Sequence, residues 1–144
     1  MVYEKKRTFS GDVIDLADAA LEVDAAVYAG SLALSATEAT AGTLDYEFAN
    51  QHFPEENTLE IIGWETADSA ADGATLALTL QSSADGETWV DKMTINLLQA
   101  DIVLNQLIFR STIPATMGQH MRLKMVAGTE VFTAGKIFAV VRPL

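Results

Sequence analysis

Hydrophobic and polar residues alternate along several stretches of this chain with the two-residue period of a β-strand. The cleanest stretch is Thr75-Leu76-Ala77-Leu78-Thr79-Leu80-Gln81, which puts Leu76, Leu78 and Leu80 on one face. Met121-Arg122-Leu123-Lys124-Met125 alternates apolar with basic residues. It predicts a half-buried strand that shows Arg122 and Lys124 to solvent or to a partner. Leu59 to Glu65 is rich in β-formers and follows Pro54 and a polar stretch. Thr88 to Ile95 is read with Trp89, Met93 and Ile95 on one face, and Lys136 to Arg142 is the last strand, ending at Pro143. Weaker strands are read at Val13 to Leu16, Thr43 to Phe48 and Asn105 to Arg110.

Helical signals are poor. Ile14 to Val27 is the best candidate, but its apolar spacing is irregular. Its acids Asp15, Asp18, Glu22 and Asp24 have no basic partner one turn away, so it reads as a loop with a turn. Turn chemistry supports strands instead. Asp72-Gly73 precedes the Leu76 strand, and Asp85-Gly86 separates it from the Trp89 strand, a strong hairpin signal. Ala127-Gly128-Thr129 and Ala134-Gly135 bracket the segment around Val131 and Phe132. The stretch from Ala29 to Gly42 is rich in Ala, Thr and Ser and reads as a long loop or arm. About eight short strands joined by turns imply an all-β fold, an antiparallel β-sandwich of jelly-roll type. The expected organisation is a single domain over residues 1–144, with residues 1–11 as an extended N-terminal arm.

Composition narrows the function. The 144 residues are 49% hydrophobic, enough for a packed core, and contain no cysteine. That excludes disulfides, thiolate metal sites and a cysteine nucleophile. The charged start, Met1 to Arg7, is followed by no apolar region, which argues against a secretory signal. No apolar run approaches a bilayer span of roughly 20 residues. The net charge of −11 argues against nucleic acid as a partner.

The distribution of charge says more than its sum. Residues 8–91 hold 17 acidic residues and no Lys or Arg, whereas residues 92–144 hold six basic residues against two acidic ones. Two readings are open. Complementary faces meet in an assembly, or strand pairing mixes the two halves in space.

The search for chemistry favours binding over catalysis. His52 and His120 are far apart in sequence and neither has a histidine neighbour, so no metal site is expected. Glu55-Glu56 reads as a solvated loop, and Asp68, Asp72 and Asp85 read as turn residues. No calcium-loop pattern is complete, which leaves only a low-affinity site between loops open. Nucleophile, phosphate-loop and dinucleotide motifs are missing from the sequence. The expectation is therefore no enzyme activity, no catalytic residue and no cofactor.

The most specific string is Leu80-Gln81-Ser82-Ser83-Ala84-Asp85-Gly86-Glu87-Thr88-Trp89. It resembles the sialidase Asp-box, one residue short and in a single copy, and the hairpin of discoidin-type β-sandwiches. In both, the string is structural: Asp85 and Gly86 make the turn and Trp89 packs in the core. Read with Phe9-Ser10, Asp12 to Leu16, His120-Met121-Arg122-Leu123-Lys124 and Phe132-Thr133-Ala134-Gly135-Lys136-Ile137, the chain is similar to the Bbp16-like capsid cement (decoration) proteins of tailed phages.

That resemblance implies a jelly roll with a non-enzymatic role as a virion structural protein. It would be made in the host bacterial cytoplasm and placed on the capsid outer surface, where it binds the major capsid protein and cements neighbouring subunits. The implied partners are the major capsid protein and further copies of this chain, as a homodimer or homotrimer, with no membrane and no nucleic acid. Lys5, Lys6 and Arg7 are expected in an arm that contacts capsid protein, with a frayed terminus as the alternative. Arg122 and Lys124 are expected to pair with acidic loops of a neighbouring copy, with solvent-facing charge as the alternative. A carbohydrate-binding discoidin-like module, or another phage head or tail component, remains open as a different function.

Overall fold

A computed structural model describes residue 9 and residues 13–18, 21–29, 32–33, 57–113 and 120–143. Among the described residues nine strands occur in chain order: β1 (Ile14–Asp15), β2 (Ala26–Tyr28), β3 (Leu32–Ala33), β4 (Asn57–Ser69), β5 (Thr75–Ser83), β6 (Val90–Leu98), β7 (Leu107–Thr112), β8 (His120–Gly128) and β9 (Phe132–Pro143). One 3-10 turn, Gln99–Asp101, links β6 to β7. Among the described residues no helix is long and apolar enough to cross a membrane.

The strands pair antiparallel in two sheets, ordered β1-β9-β4-β7 and β2-β8-β5-β6, with β3 also on β8. With β3 set aside, the first sheet takes the first, last, third and sixth of eight strands, and the second takes the second, seventh, fourth and fifth. That is jelly-roll winding, as the sequence predicts. Chain neighbours mostly switch sheets, and the β5–β6 hairpin stays within one.

The core lies between the sheets and is built by strand alternation. Leu76, Leu78 and Leu80 of β5 are at most 1% exposed. Met121, Leu123 and Met125 of β8 lie across from them at Ser82, Leu80 and Leu78. In the other sheet, Leu59 and Ile61 of β4 lie beside Ile137, Ala139 and Val141 of the neighbouring β9 and complete the core. Burying each such leucine is worth roughly 1.5–3 kcal/mol, and their side chains form one cluster. Phe9, inside the segment expected as an arm, belongs to that cluster at 2% exposure, and its N–H donates to Ala139 O at 3.4 Å. Val13 to Leu16 contains the short strand β1, and the described residues of Ile14 to Val27 hold no helix, in agreement with the sequence reading. The expected long loop from Ala29 contains β3. The strand expected at Thr43 to Phe48, the pair Glu55-Glu56 and His52 lie outside the described residues.

Turn geometry follows residue type at Asp72 but not at the β-branched Thr129. Asp72 has a φ of 56° and Thr129 a φ of 69°, both at corners where the chain leaves one sheet for the other. Glu130 clamps the first corner: its Oε1 accepts from Gly73 N at 2.8 Å and from the Ser69 hydroxyl at 2.5 Å, and its Oε2 accepts from Ala71 N at 3.0 Å. The Ser69 hydroxyl, then the Gly73 N–H, hold the Glu130 carboxyl below the usual range. Asp68, expected in a turn, lies instead in β4, paired with Ala134.

Candidate functional site

The outward face of the β2-β8-β5-β6 sheet carries the two basic residues singled out in the sequence. Alternation along β8 buries Met121, Leu123 and Met125 and leaves Arg122 and Lys124 half-buried on the other side. Register places Arg122 opposite Gln81, and Lys124 between Thr79 of β5 and Tyr28 of β2.

Arg122 is flanked on both faces by aromatic rings. Its guanidinium carbon is 3.9 Å from the centre of the Tyr28 ring and 4.2 Å from that of Trp89. A ring quadrupole attracts a cation at this distance, and a planar guanidinium stacks as an ammonium cannot. Arg122 Nε donates to Gln81 Oε1 at 2.8 Å, and Gln81 Nε2 donates to Asp91 Oδ1 at 2.6 Å. The other Asp91 oxygen lies 3.8 Å from Lys124 Nζ. Gln81 is 6% exposed, so its amide is pinned at both ends beneath the stack. Thr79 and Thr94 hydroxyls, 3.1 Å apart, continue the polar face.

The expectation that Trp89 packs in the core is overturned. Trp89 is half-buried and lies against Arg122. The cause is a register shift in the β5–β6 pair: Leu80 faces Met93, but Gln81 faces Asp91, leaving Lys92 as an extra residue. One inserted residue inverts the alternation. Ile95 and Met93 therefore point inward, whereas Asp91 meets outward-facing Gln81 and Trp89 reaches the outer face.

The hairpin turn beyond β5 is built as the Ser-x-Asp-Gly string predicts. Asp85 Oδ1 accepts from Glu87 N and Thr88 N, each at 2.8 Å, and from the Ser83 hydroxyl at 2.9 Å. These donors, the Thr88 N–H foremost, hold the Asp85 carboxyl down to about 2. Gly86 has a φ of 81°, the left-handed region that a side chain disfavours. Ser83, Asp85, Thr88, Val90 and Lys92 line an open recess of about 300 Å³ beside this turn.

Folding joins part of the charge partition along the sequence within the chain. Arg110 lies 3.4 Å from Glu60, Lys136 3.7 Å from Glu65, and Lys124 pairs with Asp91. Each pair joins the basic last third to the acidic middle, so strand pairing mixes the two halves. Lys5, Lys6 and Arg7 lie outside the described residues. Among the described residues no three His, Asp or Glu side chains gather as a metal cluster. Sequence reasoning missed Tyr28, Gln81 and Asp91. Gln81 and Asp91 follow from pairing β5 with its neighbours, but nothing local to the short β2 marks Tyr28.

The opposite sheet presents a different surface. Trp64 is 44% exposed on β4, with its ring 5.7 Å from that of Phe138. Neither tryptophan is therefore a core residue.

No family model matches the chain, and no curated protein matches its sequence. Among solved structures, the fold is similar to that of the PBSX exported protein XepA, with a TM-score of 0.53 and 12% identity. The match covers 100% of this chain and 40% of XepA, so the chain spans well under two thirds of that protein's length. PirA matches with a TM-score of 0.45 and 9% identity over 91% of this chain and 92% of its own.

Proposed function

We propose that this chain is a non-enzymatic virion structural protein that binds the outer surface of a phage capsid and cements neighbouring major capsid subunits. The observation that carries the proposal is the Tyr28–Arg122–Trp89 stack on an exposed face of a jelly roll. Tyr, Trp and Arg are the residue types that dominate binding energy at protein interfaces. A rigid sheet holds them where a second protein surface can reach them. The motif resemblance to capsid cement proteins and the fold shared with a phage-related exported protein support the phage setting. Repeated copies on an icosahedral lattice convert modest single contacts into durable attachment.

In this reading the partners are the major capsid protein and further copies of the chain. The test is co-sedimentation with expanded capsids assembled from a tailed-phage major capsid protein, together with light scattering. The proposal expects saturable binding to expanded capsids and a dimer or trimer in solution. A strict monomer that ignores expanded capsids would remove it.

One observation favours a second reading. Trp64 is solvent-exposed above the buried Phe138, and its ring is an aromatic face of the kind a sugar ring can cover. A carbohydrate-binding module predicts glycan-dependent quenching of Trp64. A blank glycan array with unchanged fluorescence would remove that alternative.

A further inference from the structure

Arg122 differs from the other basic residues whose ion pairs are established. Arg110, Lys124 and Lys136 each meet a carboxylate within 4 Å. Arg122 meets two rings and an amide oxygen, and no carboxylate among the described residues. This is notable in a chain of net charge −11, where carboxylates are abundant. A guanidinium has five N–H donors, and Gln81 takes the one on Nε. Tyr28 and Trp89 close both flat faces, so a ligand approaches along the edge. Edge-on recognition by the guanidinium fork is bidentate and matches a planar carboxylate. The Gln81–Asp91–Lys124 relay fixes the orientation before any ligand arrives. Arg122, Lys124 and Asp91 together leave a local surplus of one positive charge.

We infer that Tyr28, Arg122 and Trp89 form a socket for a single carboxylate presented by a partner protein. The inference rests on the protein-binding reading and adds which chemical group of the partner the face takes. A local surplus of one positive charge, with the guanidinium fork free at its edge, suits one carboxylate. A polyanion such as nucleic acid needs a run of cations, which this face does not offer among the described residues.

The test uses the full chain and three probes at constant ionic strength: N-acetyl-glutamate methylamide, its glutamine analogue and inorganic phosphate. NMR follows the Arg122 Nε–H signal and the Trp89 indole signal, the latter assigned with Trp64→Phe. The glutamate probe is expected to move both signals saturably, and the glutamine analogue to bind at least about tenfold more weakly. Arg122→Lys keeps the charge but loses the fork and the stacking, so the response is expected to vanish. An equal response to the glutamine analogue, a stronger response to phosphate, or an undiminished response in Arg122→Lys would overturn the socket. Capsid binding is scored separately. A glutamate response in a protein that ignores capsids upholds the socket and removes the capsid reading. Capsid binding without a glutamate response does the reverse.

Discussion

Arg122 of β8 holds its guanidinium carbon 4.2 Å from the centre of the Trp89 ring, on the outward face of the sheet. The contact joins the second-last strand to the β5–β6 hairpin. Replacing Arg122 with Ala removes two ring contacts and leaves Gln81 Oε1, in a 6% exposed residue, without its donor. Cation–π contacts at exposed sites contribute about 0.5–1 kcal/mol and a hydrogen bond to a charged group about 1.5–3 kcal/mol, less where solvent reaches the group. Arg122→Ala is therefore expected to lose about 1–3 kcal/mol in urea unfolding, with Trp89 emission shifted to the red. An unchanged unfolding midpoint and spectrum would show that the stack is not held in solution.

The Asp85 turn carries a pH dependence with a definite sign. Its folded carboxyl is lowered from 3.8 to about 2, because Thr88 N–H, Glu87 N–H and the Ser83 hydroxyl bond the ionised form. A depressed folded value means stabilisation that is fully present above the unfolded value. It is lost as pH falls from 3.8 toward about 2. Glu130 shifts in the same direction, through Ser69 and Gly73. In thermal melts, Asp85→Asn is expected to lie below the native chain at neutral pH, with the gap closing across that acidic window. A gap that stays constant with pH would refute the turn's electrostatic role.

Gly63 lets the backbone of the Val103–Gln106 loop approach β4 closely. A Cβ there would stand 2.0 Å from Val103 O. Gly63 N also donates to Gln106 O, and its carbonyl accepts from Asn105 N, each at 2.8 Å. The Val103–Gln106 loop is therefore tied against β4 and cannot retreat without breaking those bonds. Gly63→Ala is expected to be strongly destabilising, read as a large drop in melting temperature or in soluble yield. Wild-type stability in that variant would contradict the packing of this loop.

Leu78 is fully buried in β5, a central strand between β8 and β6. Leu78→Ala is expected to cost about 2–5 kcal/mol in chemical denaturation, the range for a leucine truncated in a packed core. A cost below about 1 kcal/mol would mean that the sheets are not packed face to face.

Much of this architecture is legible in the sequence because a half-buried strand must alternate. β5 and β8 read directly, since Leu76, Leu78 and Leu80, and Leu123 between Arg122 and Lys124, leave one choice of inner face. The Asp85-Gly86 turn reads for the same local reason: both residues tolerate what the backbone demands. Trp89 does not, because one extra residue near Lys92 inverts the alternation and periodicity carries no mark of it. The far end of β4 at Ser69 and the start of β9 at Phe132 are fixed by their mutual pairing, which draws Ala134 and Gly135, read from the sequence as a turn, into β9. The candidate site was half legible. Arg122 and Lys124 stand out as basic residues on an alternating strand, yet the structure separates their roles. Lys124 is paired with Asp91 within the chain, and Arg122 is held between two rings that pairing between distant segments brings together. The segregation of acid and base along the chain points to an assembly only until strand register is known. The register then joins the two halves within one molecule.

The most direct measurement is a cryo-EM reconstruction of expanded capsids incubated with the purified chain. The account predicts added density shaped as this two-sheet sandwich, touching at least two capsid subunits, with the Tyr28–Arg122–Trp89 face against an acidic capsid side chain. Capsids without added density, or density in which that face points to solvent, would contradict it.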